Sequence, residues 1–80
     1  MLFNESGWTN SRKRIVAAMI VHVCTKWLAE SGASGTLVGG VEGAEAVLEA
    51  LRAVDESGLL KGTGDAEGLR EGLEAMQRVL

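Results

Sequence analysis

Apolar residues recur at helical spacing in two segments of the second half of the chain. In the first segment they stand three or four positions apart, at Val41, Ala44, Val47, Leu48, Leu51 and Val54. In the second they follow a 3-4-3-4 order through Ala66, Leu69, Leu73, Met76 and Leu80. A single apolar stripe along each segment is typical of helices that pack on other helices. The pattern predicts helices over 41–57 and 64–80.

A third apolar segment precedes these two. Residues 9–11 are Thr, Asn and Ser, all good N-cap residues, and Gly32 is a suitable left-handed stop, so a helix is predicted over 10–31. At 100° per residue its main apolar arc covers about 160°. That arc contains Val16, Ala17, Ile20, Val21, Val23, Cys24, Trp27 and Leu28.

This first helix is apolar on more than one side. Ile15 and Met19 fall on its polar face, which is typical of a central helix of a bundle or of a helix at a subunit interface. The many β-branched residues within 15–23 leave a buried strand open as an alternative for part of the segment.

Small and irregular segments join the predicted helices. Residues 1–9 have no period and form an N-terminal arm, and residues 32–40 form a Gly/Ser-rich loop.

With 80 residues the chain has room for one domain, so 1–80 is predicted to be a compact, all-α, three-helix domain. A core of this size stabilises weakly. Because Cys24 is the only cysteine and no intrachain disulfide is possible, oligomerisation is the support that remains.

The second and third helices resemble each other in sequence. A shift of 25 residues lays 41–51 on 66–76 and matches Glu42/Glu67, Gly43/Gly68, Leu48/Leu73, Glu49/Glu74, Ala50/Ala75 and Val54/Val79. Glu-Ser-Gly precedes both units, at 30–32 and 56–58, and recurs at 5–7. A chain rich in these residue types also matches itself by chance, but the recurrence of turn and helix in one order favours an internal repeat. Two units predict a pseudo-symmetric pair packed on the first helix.

Charge is unevenly distributed along the chain. The net charge is −3, with four basic and two acidic residues in 1–40 and four basic and nine acidic residues in 41–80. The acidic half repels phosphate backbones. Arg12, Lys13 and Arg14 are the one concentrated basic feature, and they fit either a phosphate contact or a solubilising turn that pairs with the acidic helices.

The apolar run Ile15–Cys24 is shorter than the roughly 20 residues that span a bilayer. With the basic residues before it, the run resembles the start of a signal peptide, but Lys26 and Glu30 occupy the place of a cleavage site. A lone thiol also favours a reducing compartment. We therefore expect a cytoplasmic protein with no membrane contact.

Catalytic and ligand motifs are weak. His22 and Cys24 project about 160° apart on a helix, and even on a strand two ligands do not make a zinc site, so no metal, no cofactor and no Cys-His pair is predicted. The paired glutamates fall on solvated helix faces. The glycines at 32, 35, 39 and 40 lack the Gly-Lys-Ser/Thr ending of a phosphate loop. An enzyme is the third-ranked class of function.

Two helical glycines, Gly68 and Gly72, indicate close packing. Each costs about 1 kcal/mol relative to alanine, which a closely approaching backbone of the second helix or of another subunit would explain.

Taken together, these features predict a non-enzymatic protein that works by protein–protein contact and self-associates, as a regulator or inhibitor of a larger complex, of the kind phages and mobile elements also carry. Its predicted contact residues are Arg12, Lys13, Arg14, Ile15, Met19, Gly68 and Gly72. The alternative is a nucleic-acid-binding module that uses the basic cluster at 12–14.

Overall fold

The computed structural model describes residues 7–79 and consists of three α-helices, each packed against the other two. They are α1 (Asn10–Ser34), α2 (Gly40–Ser57) and α3 (Asp65–Val79). The prediction of an all-α three-helix domain is confirmed. The segment for which a strand was an alternative is helical throughout. The first six residues of the predicted N-terminal arm and Leu80 of the α3 stripe lie outside the described residues.

The start of α1 follows the prediction, but its end does not. Thr9 is the N-cap, and its Oγ1 accepts a hydrogen bond of 3.1 Å from the Arg12 N–H. The predicted stop at Gly32 is wrong, because α1 continues to Ser34 and Gly35 leaves the helix with φ 75°. The Gly35 N–H donates to the Ser31 carbonyl. The connecting loop is therefore shorter than the predicted 32–40 and comprises residues 35–39.

The loop between α1 and α2 is fixed by hydrogen bonds to α1. The Val38 N–H donates to Ser31 Oγ at 3.2 Å, and Trp27 Nε1 donates to the Val38 carbonyl oxygen at 2.9 Å. A Cβ atom on Gly43 would overlap that same oxygen. Ser31 and Trp27 thus determine the path of the loop, and the absence of a side chain at position 43 lets α2 start close to it.

A second turn joins α2 to α3. Gly58 ends α2 in the left-handed conformation, directly after the predicted last residue of this helix, with its N–H donating to the Asp55 carbonyl. The main apolar contact of this turn is made by Leu60, which is 2% exposed. A buried leucine in the turn closes the end of the core between α2 and α3.

The core takes residues from all three helices and from this turn. Its members are Ala17, Val21, Cys24, Ala44, Leu51, Val54, Leu60, Leu69 and Met76. The predicted core position of Val41 is wrong, because this side chain is 59% exposed. Val41 projects about 80° from Leu51 on the helix and lies at the edge of the stripe. Val23 is also exposed, because it points about 160° away from the buried Val21.

The order of buried and exposed residues in α2 recurs in α3 at the same shift of 25 residues that relates their sequences. Ala44 and Leu69 are both buried, as are Leu51 and Met76, and the flanking exposed positions coincide over most of 42–52. The upstream motif does not repeat in structure, because Gly58 caps α2 whereas Gly32 lies inside α1. The two helices therefore share one packing pattern, and a true duplication stays a prediction.

Candidate interface: the exposed apolar face of α1

A row of three large apolar side chains faces solvent along α1. Ile15, Met19 and Val23 are 62%, 60% and 67% exposed. Their spacing of four residues places them on one side of the helix, one turn apart, and we refer to them as the α1 stripe. Single exposed apolar residues are common on soluble proteins, whereas a contiguous row marks a contact surface.

An apolar groove adjoins the α1 stripe where α1 meets α2. Its volume is about 440 Å³, and it is lined by Val16, Met19, Ile20, Val23, Cys24, Ala46, Val47 and Ala50. Apart from the Cys24 thiol, every lining side chain among the described residues is a hydrocarbon or a thioether. On the α2 side the lining is small, with Ala46 and Ala50, so the backbone of another helix can approach closely there. Groove and stripe together form one apolar surface shared by two helices.

The position of α1 in the bundle explains why this surface is exposed. Ala17, Val21 and Cys24 turn one side of α1 toward α2 and α3. The opposite side carries the α1 stripe, and no described residue covers it. A helix that is apolar on more than one side needs cover on each of those sides, and the described residues of this bundle supply it on one side only.

Not all of this surface was predicted from the sequence. Ile15 and Met19 are exposed apolar residues, as expected from their place on the polar side of the helix. Val23 was assigned to the core arc, and the contribution of Ala46, Val47 and Ala50 was missed. The signal for Val23 was the four-residue spacing that continues from Ile15 through Met19.

The predicted basic cluster does not form one patch. Arg12, Lys13 and Arg14 are consecutive, so their side chains leave α1 about 100° apart. The Arg12 guanidinium lies over the Trp8 ring, 5.4 Å from its centroid, and Lys13 is half-buried. Of these three residues, Arg12 alone projects close to the direction of the α1 stripe.

His22 and Cys24 occupy different environments, as predicted. His22 is on the surface, with Nε2 3.7 Å from Asp65 Oδ1. Cys24 is buried, and this burial raises the pKa of its thiol. Within residues 7–79 no three potential metal ligands come together.

Gly68 and Gly72 pack within the chain. A Cβ atom on Gly68 would lie 3.5 Å from Val21 Cγ1, and one on Gly72 would lie 3.3 Å from Leu51 Cδ1. The close neighbours are thus side chains of α1 and α2, not the backbone that the sequence led us to expect. Gly72 is buried, and neither glycine borders the α1 stripe. A backbone approach of the expected kind occurs at Gly43 instead.

A second groove, of about 630 Å³, lies between α2, the following turn and α3. Apolar residues such as Leu60 and Leu69 line it together with Asp55, Lys61 and Arg70. All three charged residues are exposed and they differ in sign, so the groove defines no class of ligand.

By length and composition, α1 is the one helix in residues 7–79 that qualifies as a candidate membrane span. The run Ile15–Cys24 is too short on its own, but the whole 25-residue helix passes the test. Signal sequences and the mostly buried core helices of soluble proteins meet the same criteria, and 22% of the qualifying window of α1 is buried here.

No protein-family model, curated protein or solved structure matches the chain.

Proposed function

We propose that this protein is a non-enzymatic interaction module that self-associates through the α1 stripe and the adjoining groove. In this role it acts as a cytoplasmic regulator or inhibitor of a larger protein assembly. The observation that carries the proposal is the row formed by Ile15, Met19 and Val23, each more than half exposed on a helix whose other side is the core of the bundle.

The energetics of a small domain support self-association. Complete burial of a large aliphatic side chain contributes about 1.5–3 kcal/mol, so covering three such residues in each of two copies is a substantial driving force. The core of the bundle comprises nine buried residues in the described part of the chain, and two of these are alanines. Covering the α1 stripe therefore adds stability that a small core lacks.

The proposal assigns the two parts of the chain different tasks. α2 and α3 present exposed acidic faces and hold α1 in place, whereas α1 makes the contact. His22 and Cys24 have no catalytic role in this scheme.

Measurement of mass in solution tests the proposal directly. Light scattering and sedimentation equilibrium at micromolar concentration should give a dimer for the unaltered chain. Met19→Glu should give a monomer with unchanged helical content, because Met19 is exposed and a buried carboxylate at an interface is costly. Gln77→Glu is the matched control, since it adds the same charge on the exposed outer side of α3 and should leave the dimer intact.

A monomeric unaltered chain across the micromolar range would contradict self-association. If that monomer also floats with phospholipid vesicles, and Met19→Glu abolishes the flotation, the α1 stripe is a membrane contact instead.

A further inference from the structure

We infer that the α1 stripe binds the α1 stripe of a second copy in antiparallel orientation, with Arg12 of each copy paired with Glu30 of the other. This inference rests on the proposed self-association and adds its geometry. It names an ion pair that only the two-fold arrangement creates.

The two charges lie at opposite ends of the same helix face. Arg12 and Glu30 are separated by 18 positions, which is about five complete turns at 3.6 residues per turn, so they project in the same direction. Met19, at the centre of the stripe, projects within about 20° of that direction. At 1.5 Å per residue the charges stand about 27 Å apart. α1 therefore carries an apolar stripe with the positive Arg12 near one end and, near the other end, the negative Glu30 one turn after Lys26.

Such a face is complementary in charge to the same face of a second copy only when the two α1 helices run antiparallel. In the antiparallel arrangement each Arg12 lies beside a Glu30, and Met19 of one copy lies level with Val23 of the other. A parallel arrangement instead places Arg12 beside Arg12 and Glu30 beside Glu30. The helix dipoles also favour the antiparallel arrangement.

Charge also selects the register among antiparallel arrangements. If Met19 lay level with Met19 of the other copy, Arg12 would lie level with Lys26, and two like charges would meet. A shift of two residues in each chain replaces this repulsion by attraction between Arg12 and Glu30. Like charges at an interface act against the wrong register.

Both charged side chains are available for the contact. Arg12 and Glu30 are exposed, and the pairings found within residues 7–79 join other residues, since Arg70 pairs with Glu67 and His22 lies beside Asp65. The stacking of Arg12 on Trp8 reduces the freedom of the guanidinium before it binds.

The charge of α2 favours the same orientation. The contacts of Trp27 and Gly43 with Val38 place the start of α2 beside the C-terminal part of α1. Glu42 and Glu45 are exposed near this end. The antiparallel arrangement brings the basic start of the partner's α1 toward these carboxylates, so the acidic and basic halves of the chain meet between copies. A two-fold contact of this kind is closed and yields a dimer instead of a filament.

Charge reversal at the two positions tests the geometry by sedimentation equilibrium. Arg12→Glu and Glu30→Arg should each weaken the dimer about tenfold, since each change places like charges at both ends of the interface. The double variant should dimerise within about threefold of the unaltered chain. An equimolar mixture of the two single variants should form a heterodimer of similar strength, because both of its end contacts are again opposite in sign.

Glu74→Arg and Arg78→Glu make the same changes of charge on exposed positions of α3 and should leave the dimer unchanged. A dimeric unaltered chain whose single variants dimerise normally, or whose double variant and mixture fail to recover, would overturn the antiparallel pairing while self-association stands. A monomeric unaltered chain would instead overturn the proposed function.

Cross-linking gives a second measure of the register, on a Cys24→Ser background. A mixture of Met19→Cys and Val23→Cys chains should form the mixed disulfide faster than Met19→Cys forms its own. The opposite order would overturn the inferred register.

Discussion

The Trp27 side chain donates a 2.9 Å hydrogen bond from Nε1 to the carbonyl oxygen of Val38, and the same oxygen lies where a side chain on Gly43 would begin. One main-chain carbonyl therefore contacts both α1 and the first turns of α2. This contact sets the distance between the two helices at the end where they are joined. The apolar groove lies about one turn away from this contact on each helix, with Val23 and Cys24 on α1 and Ala46 on α2.

Substitution at Gly43 tests this contact. Gly43→Ala should lower the free energy of unfolding by about 1–3 kcal/mol, because the added Cβ overlaps a backbone atom that cannot rotate away. Urea denaturation followed by circular dichroism measures the change. Gly68→Ala is the matched control, since its Cβ would meet Val21 Cγ1 at an ordinary 3.5 Å. It should be neutral or stabilising by up to about 1 kcal/mol, and equal losses in both variants would contradict the close approach at Gly43.

A second pair of glycines tests the end of α1. Gly35→Ala should lower the free energy of unfolding by about 1 kcal/mol, because Gly35 has φ 75° and a side chain is strained there. Gly32→Ala should raise it by up to about 1 kcal/mol, because Gly32 is helical and the space beside it is open. Thermal unfolding of both variants gives the two signs. A loss of stability in Gly32→Ala together with a gain in Gly35→Ala would instead place the end of α1 at Gly32, as the sequence predicted.

The sequence determined much of the local structure but not the end of α1. Thr9 was among the three N-cap candidates, and the end of α2 at residue 57 was predicted, because these features depend on one residue and its immediate neighbours. Gly32 and Gly35 are equally suited to end a helix. The choice between them depends on the loop, where the Val38 N–H binds Ser31 seven residues away, and a local pattern does not contain that contact.

The candidate interface was predictable only in part for a similar reason. An apolar arc of about 160° is wider than the contact that two neighbouring helices make, so the pattern did not show which part of it is buried. The positions of α2 and α3 decide this. They bury Val21 and leave Val23 exposed. Ile15 and Met19 were recognised because they stand apart from the arc.

Truncation of the core should contrast with truncation at the surface of α2. Leu51→Ala should cost about 2–5 kcal/mol, because Leu51 is 1% exposed and fills the space beside Gly72. Val41→Ala should change the free energy of unfolding by less than about 0.5 kcal/mol, as most exposed substitutions do. Denaturant midpoints at one protein concentration give the comparison. A large loss at Val41 would place this residue in the core, where the sequence pattern had put it.

The alkaline pH dependence of stability should depend on Cys24. Burial raises the pKa of this thiol above its ordinary value of 9.0, so the folded state holds the proton more tightly than the unfolded state does. The resulting stability is fully present below pH 9.0 and is lost as the pH rises through the raised pKa of the folded state. Cys24→Ala removes this contribution, and its free energy of unfolding should therefore decline less steeply above pH 9.0 than that of the unaltered chain. All other titrating groups are common to both proteins, so the difference between the two curves isolates the thiol. Parallel curves, together with rapid alkylation of the folded protein by iodoacetamide at neutral pH, would show instead that Cys24 is open to solvent.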